Sequence, residues 1–150
     1  MGAVIAAPWV AEPFWRLGAG LWRHGYTYSG HATVAAVALA NLDVMEREEL
    51  PKRTLELERD LVTALAPLAD HPLVGEVRAG TGALAAVQFA GEALEADPGL
   101  PARVVTACRA NGILTRALGI GALQVSPALV ITGDELDELH DGVRGALDAA

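Results

Sequence analysis

At 150 residues, 52% hydrophobic and 20% charged, the chain is long enough for one domain with its own core, and this composition excludes a disordered tail. A formal net charge of -8 argues against nucleic acid as the main ligand, and no apolar run reaches the length of a membrane span. The single cysteine, Cys108, rules out an intramolecular disulfide and fits a reducing cytoplasm, while Lys52 is the one lysine open to any lysine chemistry.

Residues 1–7 carry no basic residue ahead of their apolar run, so they do not read as a signal peptide. Residues 2–6 are apolar and end at Pro8, which predicts a buried strand. A helix is expected over 8–16, with Val10, Phe14 and Leu17 on one face and a stop at Gly18-Ala19-Gly20. Residues 22–31 are dense in aromatic and polar groups and contain two glycines, the composition of a binding loop. From Ala32 to Glu48 nothing breaks a helix, and its first half is apolar nearly all round. That pattern predicts a buried helix whose alanines allow close approach.

A further helix starts near Pro51, with Leu57, Leu61, Leu65 and Leu68 on one face and Lys52 spaced to pair with Glu56. The period then changes. Residues 74–77 and 83–89 read as two strands of a hairpin around Gly80-Thr81-Gly82. Residues 92–99 are read as loop, 101–111 as a helix closed by Gly112, and 113–115 and 123–125 as short strands about a Gly-rich turn. The last helix is capped by Thr132, with Glu135 completing a capping box before Leu136, Leu139, Val143 and Leu147. The order is that of an α/β or α+β layer arrangement, dividing near the second long helix.

No zinc, hydrolase-elbow or nucleotide-loop pattern occurs, and no metal site is expected. His24, His31, His71 and His140 are scattered, as structural or exposed histidines are. Cys108 reads as a small buried hydrophobe. The stretch from Gly25 to His31 immediately precedes a long helix, where hydroxyls and free N–H groups meet the positive end of the helix dipole. Two readings stay open on spacing alone: an anion cradle, or an aromatic loop with Thr or Ser serving as helix cap.

The run from His24 to His31 resembles the HGxTYSGHP signature of class III, pyridoxal-phosphate-dependent aminotransferases, the ω-transaminase branch especially. Further segments resemble the family in the same order: residues 1–4, Asn41-Leu42 with 46–50, the 77–84 hairpin, and 111–116 followed by 126–132. The resemblance implies fold type I, here the C-terminal portion: residues 1–50 from the edge of the large cofactor domain, and 51–150 as a small domain with a mainly antiparallel sheet flanked by helices. It implies amino transfer between an amine or amino acid and a keto acid, with active sites at a homodimer interface. By the same resemblance Thr27, with Tyr26 beside it, contacts the cofactor phosphate of the neighbouring subunit, and Arg116 receives a substrate carboxylate. A guanidinium fork suits that last role.

Two departures from the family pattern soften turns without removing a donor: Ala32 where proline is usual, and Ser126-Pro127-Ala128 in place of a double proline. The family's Schiff-base lysine lies before the segment that Met1 to Val4 resembles. Catalytic lysine is therefore expected to be absent, because Lys52, beside Pro51 and Arg53, sits on a charged helical turn. The isolated chain is expected to be inactive. The alternative is a non-catalytic remnant, or a subunit that pairs with a separate N-terminal half through its alanine-rich helix and aromatic loop.

Overall fold

A computed structural model describes residues 2–16, 18, 20 and 24–150, and forms two compact units, Met1–Glu48 and Glu49–Ala150. Met1, Leu17, Ala19, Trp22 and Arg23, which figure in the expected strand, helix face and loop, lie outside the described residues.

The first unit contains helix α1 (Pro8–Trp15) and helix α2 (Ala32–Arg47). Proline in the first turn of α1 suits its free N–H positions, and Arg16 reaches back one turn to Glu12 at 2.7 Å. Residues 2–6 form no strand, and Val4 and Ile5 are almost fully exposed. A strand needs a neighbour to take up its backbone hydrogen bonds, and none of the described residues pairs with this one. The expectation of burial for α2 also fails within this chain. None of its residues is buried, and Val37 and Leu39 are 65% and 63% exposed.

The second unit has a conventional core. Helix α3 (Leu50–Leu65) places Leu57, Leu61 and Leu65 one turn apart, all fully buried. A short 3-10 segment, Ala66–Asp70, adds Leu68. Strands β1 (Val74–Arg78) and β2 (Ala85–Phe89) make the expected antiparallel hairpin, with Val77 opposite Val87. Helix α4 (Gly91–Ala96) occupies part of what sequence reads as loop, because six residues are too few to display a helical period. Helix α5 (Leu100–Ala110) follows, then β3 (Ala117–Leu118), β4 (Ala122–Val125) and helix α6 (Gly133–Asp148).

The sheet order is β1-β2-β4-β3, antiparallel throughout. Ala85, Val87 and Phe89 of β2 point inward, as do Leu123 and Val125 of β4, and they share one core with Val104 and Cys108 of α5 and Val143 and Leu147 of α6. Residues 113–115, expected as a strand, are not one. The chain pairs only after Arg116, and β2 begins at Ala85 rather than residue 83.

Polar contacts fix the loops. The Glu58 carboxylate accepts the Gly82 N–H at 2.7 Å, holding the hairpin turn in which Gly80 and Gly82 have φ of +94° and +67°. Arg53 donates to Asp60 at 2.8 Å and to the Ile131 carbonyl at 3.1 Å, tying α3 to the segment that leads into α6. His71 is buried. Its Nδ1 accepts from the Leu73 N–H at 3.1 Å and its Nε2 lies 3.3 Å from Asp148 Oδ1. His140 meets the Ala64 carbonyl at 2.8 Å, joining α6 to α3.

Candidate functional site

In the first unit, the residues before α2 fold into a turn on their own hydrogen bonds. The Ser29 N–H donates to the Tyr26 carbonyl at 2.9 Å, and the Tyr26 N–H donates to Ser29 Oγ at 3.0 Å. Gly30 follows at φ +73°, a conformation that side chains disfavour. The ring of Tyr26 meets His24 edge-on at 5.4 Å, and Tyr26 and Thr27 are both exposed. Thr27 therefore sits at the tip of a turn that its neighbours hold closed. Among the described residues neither its hydroxyl nor its amide has a hydrogen-bond partner.

The cap of α2 is neither Thr nor Ser. His31 holds that position, and its Nδ1 accepts the Val34 N–H at 3.4 Å. Ser29, which sequence offers only as a possible helix cap, closes the turn instead. The signal was present in its spacing three residues after Tyr26, since serine hydroxyls bond nearby backbone readily.

In the second unit, Arg116 is exposed and lies just before β3. Its carbonyl accepts the Gln124 N–H at 3.1 Å, and its Nε–H donates to Gln124 Oε1 at 2.6 Å. Gln124 is pinned in turn: its carbonyl accepts from Thr115 Oγ1 at 2.7 Å, and its amide Nε2 donates to Ser126 Oγ at 2.7 Å. Arg116 makes no ion pair with any described carboxylate. Sequence reasoning gave Gln124 and Ser126 no role, because contacts across the three-residue turn 119–121 leave no periodic trace.

Lys52 is exposed on α3. Its partner is Glu49 at 3.7 Å, not the expected Glu56, which lies 3.7 Å from Arg53. Its side chain is 68% exposed, so the amine lacks the desolvation that activates a Schiff-base lysine. Cys108 is fully buried in α5, and burial pushes its thiol pKa up, which leaves it an unreactive core residue.

Thr27 and Tyr26 thus belong to the first unit and Arg116 to the second. Among the described residues no helix is long and apolar enough to cross a membrane.

The sequence matches the family Aminotransferase class-III over residues 2–147. It is 40% identical over 140 residues to an uncharacterized aminotransferase of Sinorhizobium fredii, covering 86% of this chain and 30% of that protein. It is 35% identical over 153 residues to the putrescine–pyruvate aminotransferase of Pseudomonas aeruginosa, covering 99% of this chain and 33% of the relative. Among solved structures, an amine transaminase from an uncultivated Pseudomonas species in its PLP-bound form superposes with a TM-score of 0.74 at 35% identity, over 86% of this chain and 30% of that one. The chain spans about a third of the length of the relatives it matches. The small antiparallel sheet with its helices is part of the fold type I transaminase architecture, and the chain belongs to the class-III aminotransferase family.

Proposed function

We propose that this chain is the C-terminal part of a pyridoxal-phosphate-dependent aminotransferase that moves an amino group between an amine or amino acid and a keto acid. When bound, the cofactor supplies a reactive carbonyl carbon and an electron-withdrawing ring, the chemistry through which the amino group passes. The chain's own residues bind and orient. Thr27 offers a hydroxyl and an amide that no described group of the chain claims, one turn before the N-terminal end of the 16-residue α2. A phosphate is stabilised there by free donors and the helix dipole together, so these residues fit the group. Tyr26 flanks it. The unclaimed Thr27 donors are the observation that carries the cofactor reading.

Arg116, exposed and without an acidic partner among the described residues, receives the substrate carboxylate. Lys52 is solvated and does not take the cofactor covalently. The exposed apolar residues of α2 support assembly with a second surface, either the partner of a homodimer or a separate lysine-bearing half. Residues 1–50 are read as belonging to the large cofactor domain and 51–150 as the small domain. A lone, free, buried cysteine supports a cytoplasmic location.

The test joins residues 1–150 to the preceding part of the Pseudomonas aeruginosa putrescine–pyruvate aminotransferase and assays amino transfer to pyruvate. The chimera is expected to transfer amino groups. The chain alone is expected to do neither that nor, after borohydride treatment with equimolar pyridoxal phosphate, to carry a stoichiometric pyridoxyl adduct by intact mass. A well-folded chimera without activity, or an adduct on Lys52, would count against the reading.

A further inference from the structure

A guanidinium carries five N–H donors in a rigid plane, and in Arg116 the chain uses one of them. The Nε–H points at Gln124 Oε1, while Nη1 and Nη2 have no partner among the described residues. Because arginine can only donate, the group facing it must be the oxygen of the Gln124 amide. That leaves the amide nitrogen for Ser126 Oγ, where it is found. The glutamine backbone is fixed as well, by the Thr115 hydroxyl on one side and by pairing with Ala86 of β2 on the other. Every polar group of Gln124 thus serves to keep one carbonyl oxygen under one edge of Arg116.

We propose that Gln124 is a positioning residue that aims the open edge of the Arg116 guanidinium and, being neutral, leaves its full charge for a substrate carboxylate. The proposal rests on reading Arg116 as the carboxylate receiver. Fixing Nε fixes the plane of the whole group, so the terminal nitrogens are presented in one orientation rather than swept through many. A glutamate at this position would make the same Nε contact. It would also supply the countercharge that an incoming carboxylate otherwise provides. Geometry and charge therefore separate in two substitutions: Gln124→Leu removes the aim, and Gln124→Glu keeps the aim but neutralises the charge.

The 150-residue chain suffices for the test, by NMR of the Arg116 side-chain Nε–Hε and Nη resonances during titration with sodium pyruvate, against sodium chloride at matched ionic strength. In the natural sequence Nε–Hε should exchange slowly with water, and the Nη signals should shift saturably with pyruvate but not with chloride. In Gln124→Glu, Nε–Hε should stay protected while pyruvate affinity falls about tenfold or more. In Gln124→Leu, Nε–Hε exchange should quicken several-fold and affinity should fall several-fold. Backbone amide spectra verify the fold of each variant, and either variant decides alone if the other fails to fold. Pyruvate affinity in a folded variant equal to that of the natural sequence overturns the proposal and leaves the Arg116 reading standing. No saturable shift in the natural sequence overturns the Arg116 reading, and this proposal with it.

Discussion

Thr132 and Glu135 begin α6 with a reciprocal pair of contacts. The Thr132 N–H donates to the Glu135 carboxylate at 2.8 Å and its hydroxyl does so at 2.9 Å, while the Glu135 N–H returns to that hydroxyl at 3.3 Å. The Thr132 N–H first, and the hydroxyl second, hold the Glu135 carboxyl below the usual glutamate range. A carboxyl depressed in the folded state contributes stability that is present above its unfolded value and lost as pH falls through the folded one. The Glu135→Gln variant should therefore be less stable than the natural chain at neutral pH, with the gap closing as pH drops below the ordinary glutamate range. Urea denaturation across that range checks it, and a gap independent of pH would refute the assignment. Thr and Glu three apart before an apolar run are legible in sequence because both bonds are local. The His31 cap is local too, yet it depends on a ring rotamer and on which nitrogen is free to accept, and neither is written in the order of residues.

Among elements, Gly142 shows where packing overrides propensity. It lies inside α6, where alanine would ordinarily stabilise by about 1 kcal/mol. A methyl group there would drive into the side chain of Ile113, with the Asn111 carbonyl close behind. Asn111 also donates to the Gly142 carbonyl at 3.0 Å, so the close approach is fastened on both sides. Gly142→Ala should consequently destabilise the second unit, by about 1–3 kcal/mol as overpacking does. Chemical denaturation measures the sign, and a stabilised variant would mean that α6 does not sit this tightly on residues 111–113. The same scale separates what sequence could and could not tell. The leucines of α3 and the alternating inward residues of β2 declare themselves through period. Strand β3, at two residues, has no period to read, so pairing was expected at 113–115 and occurs at 117–118. Residues 2–6 show the converse failure: their composition suits a strand, but strand formation needs a neighbour, and composition is silent about that.

For the whole molecule, the two units differ in kind. Residues 49–150 close a core around α3, α5, α6 and one face of the sheet. The first unit has helices with no buried residue and an apolar surface on α2 that the described chain leaves exposed. Sequence announced α2 as a helix meant for burial, and within this chain its apolar residues stay exposed. The cofactor reading has Thr27 supply donors and other segments supply the rest. Its most direct test is pyridoxal phosphate affinity, measured by equilibrium titration, in the chimera with the Pseudomonas aeruginosa relative and in its Thr27→Val variant, which keeps the shape of the side chain and removes the hydroxyl. Loss of a hydrogen bond to a charged phosphate should weaken binding on the order of tenfold to a hundredfold. An unchanged affinity in a folded variant would contradict the placement of the phosphate at Thr27.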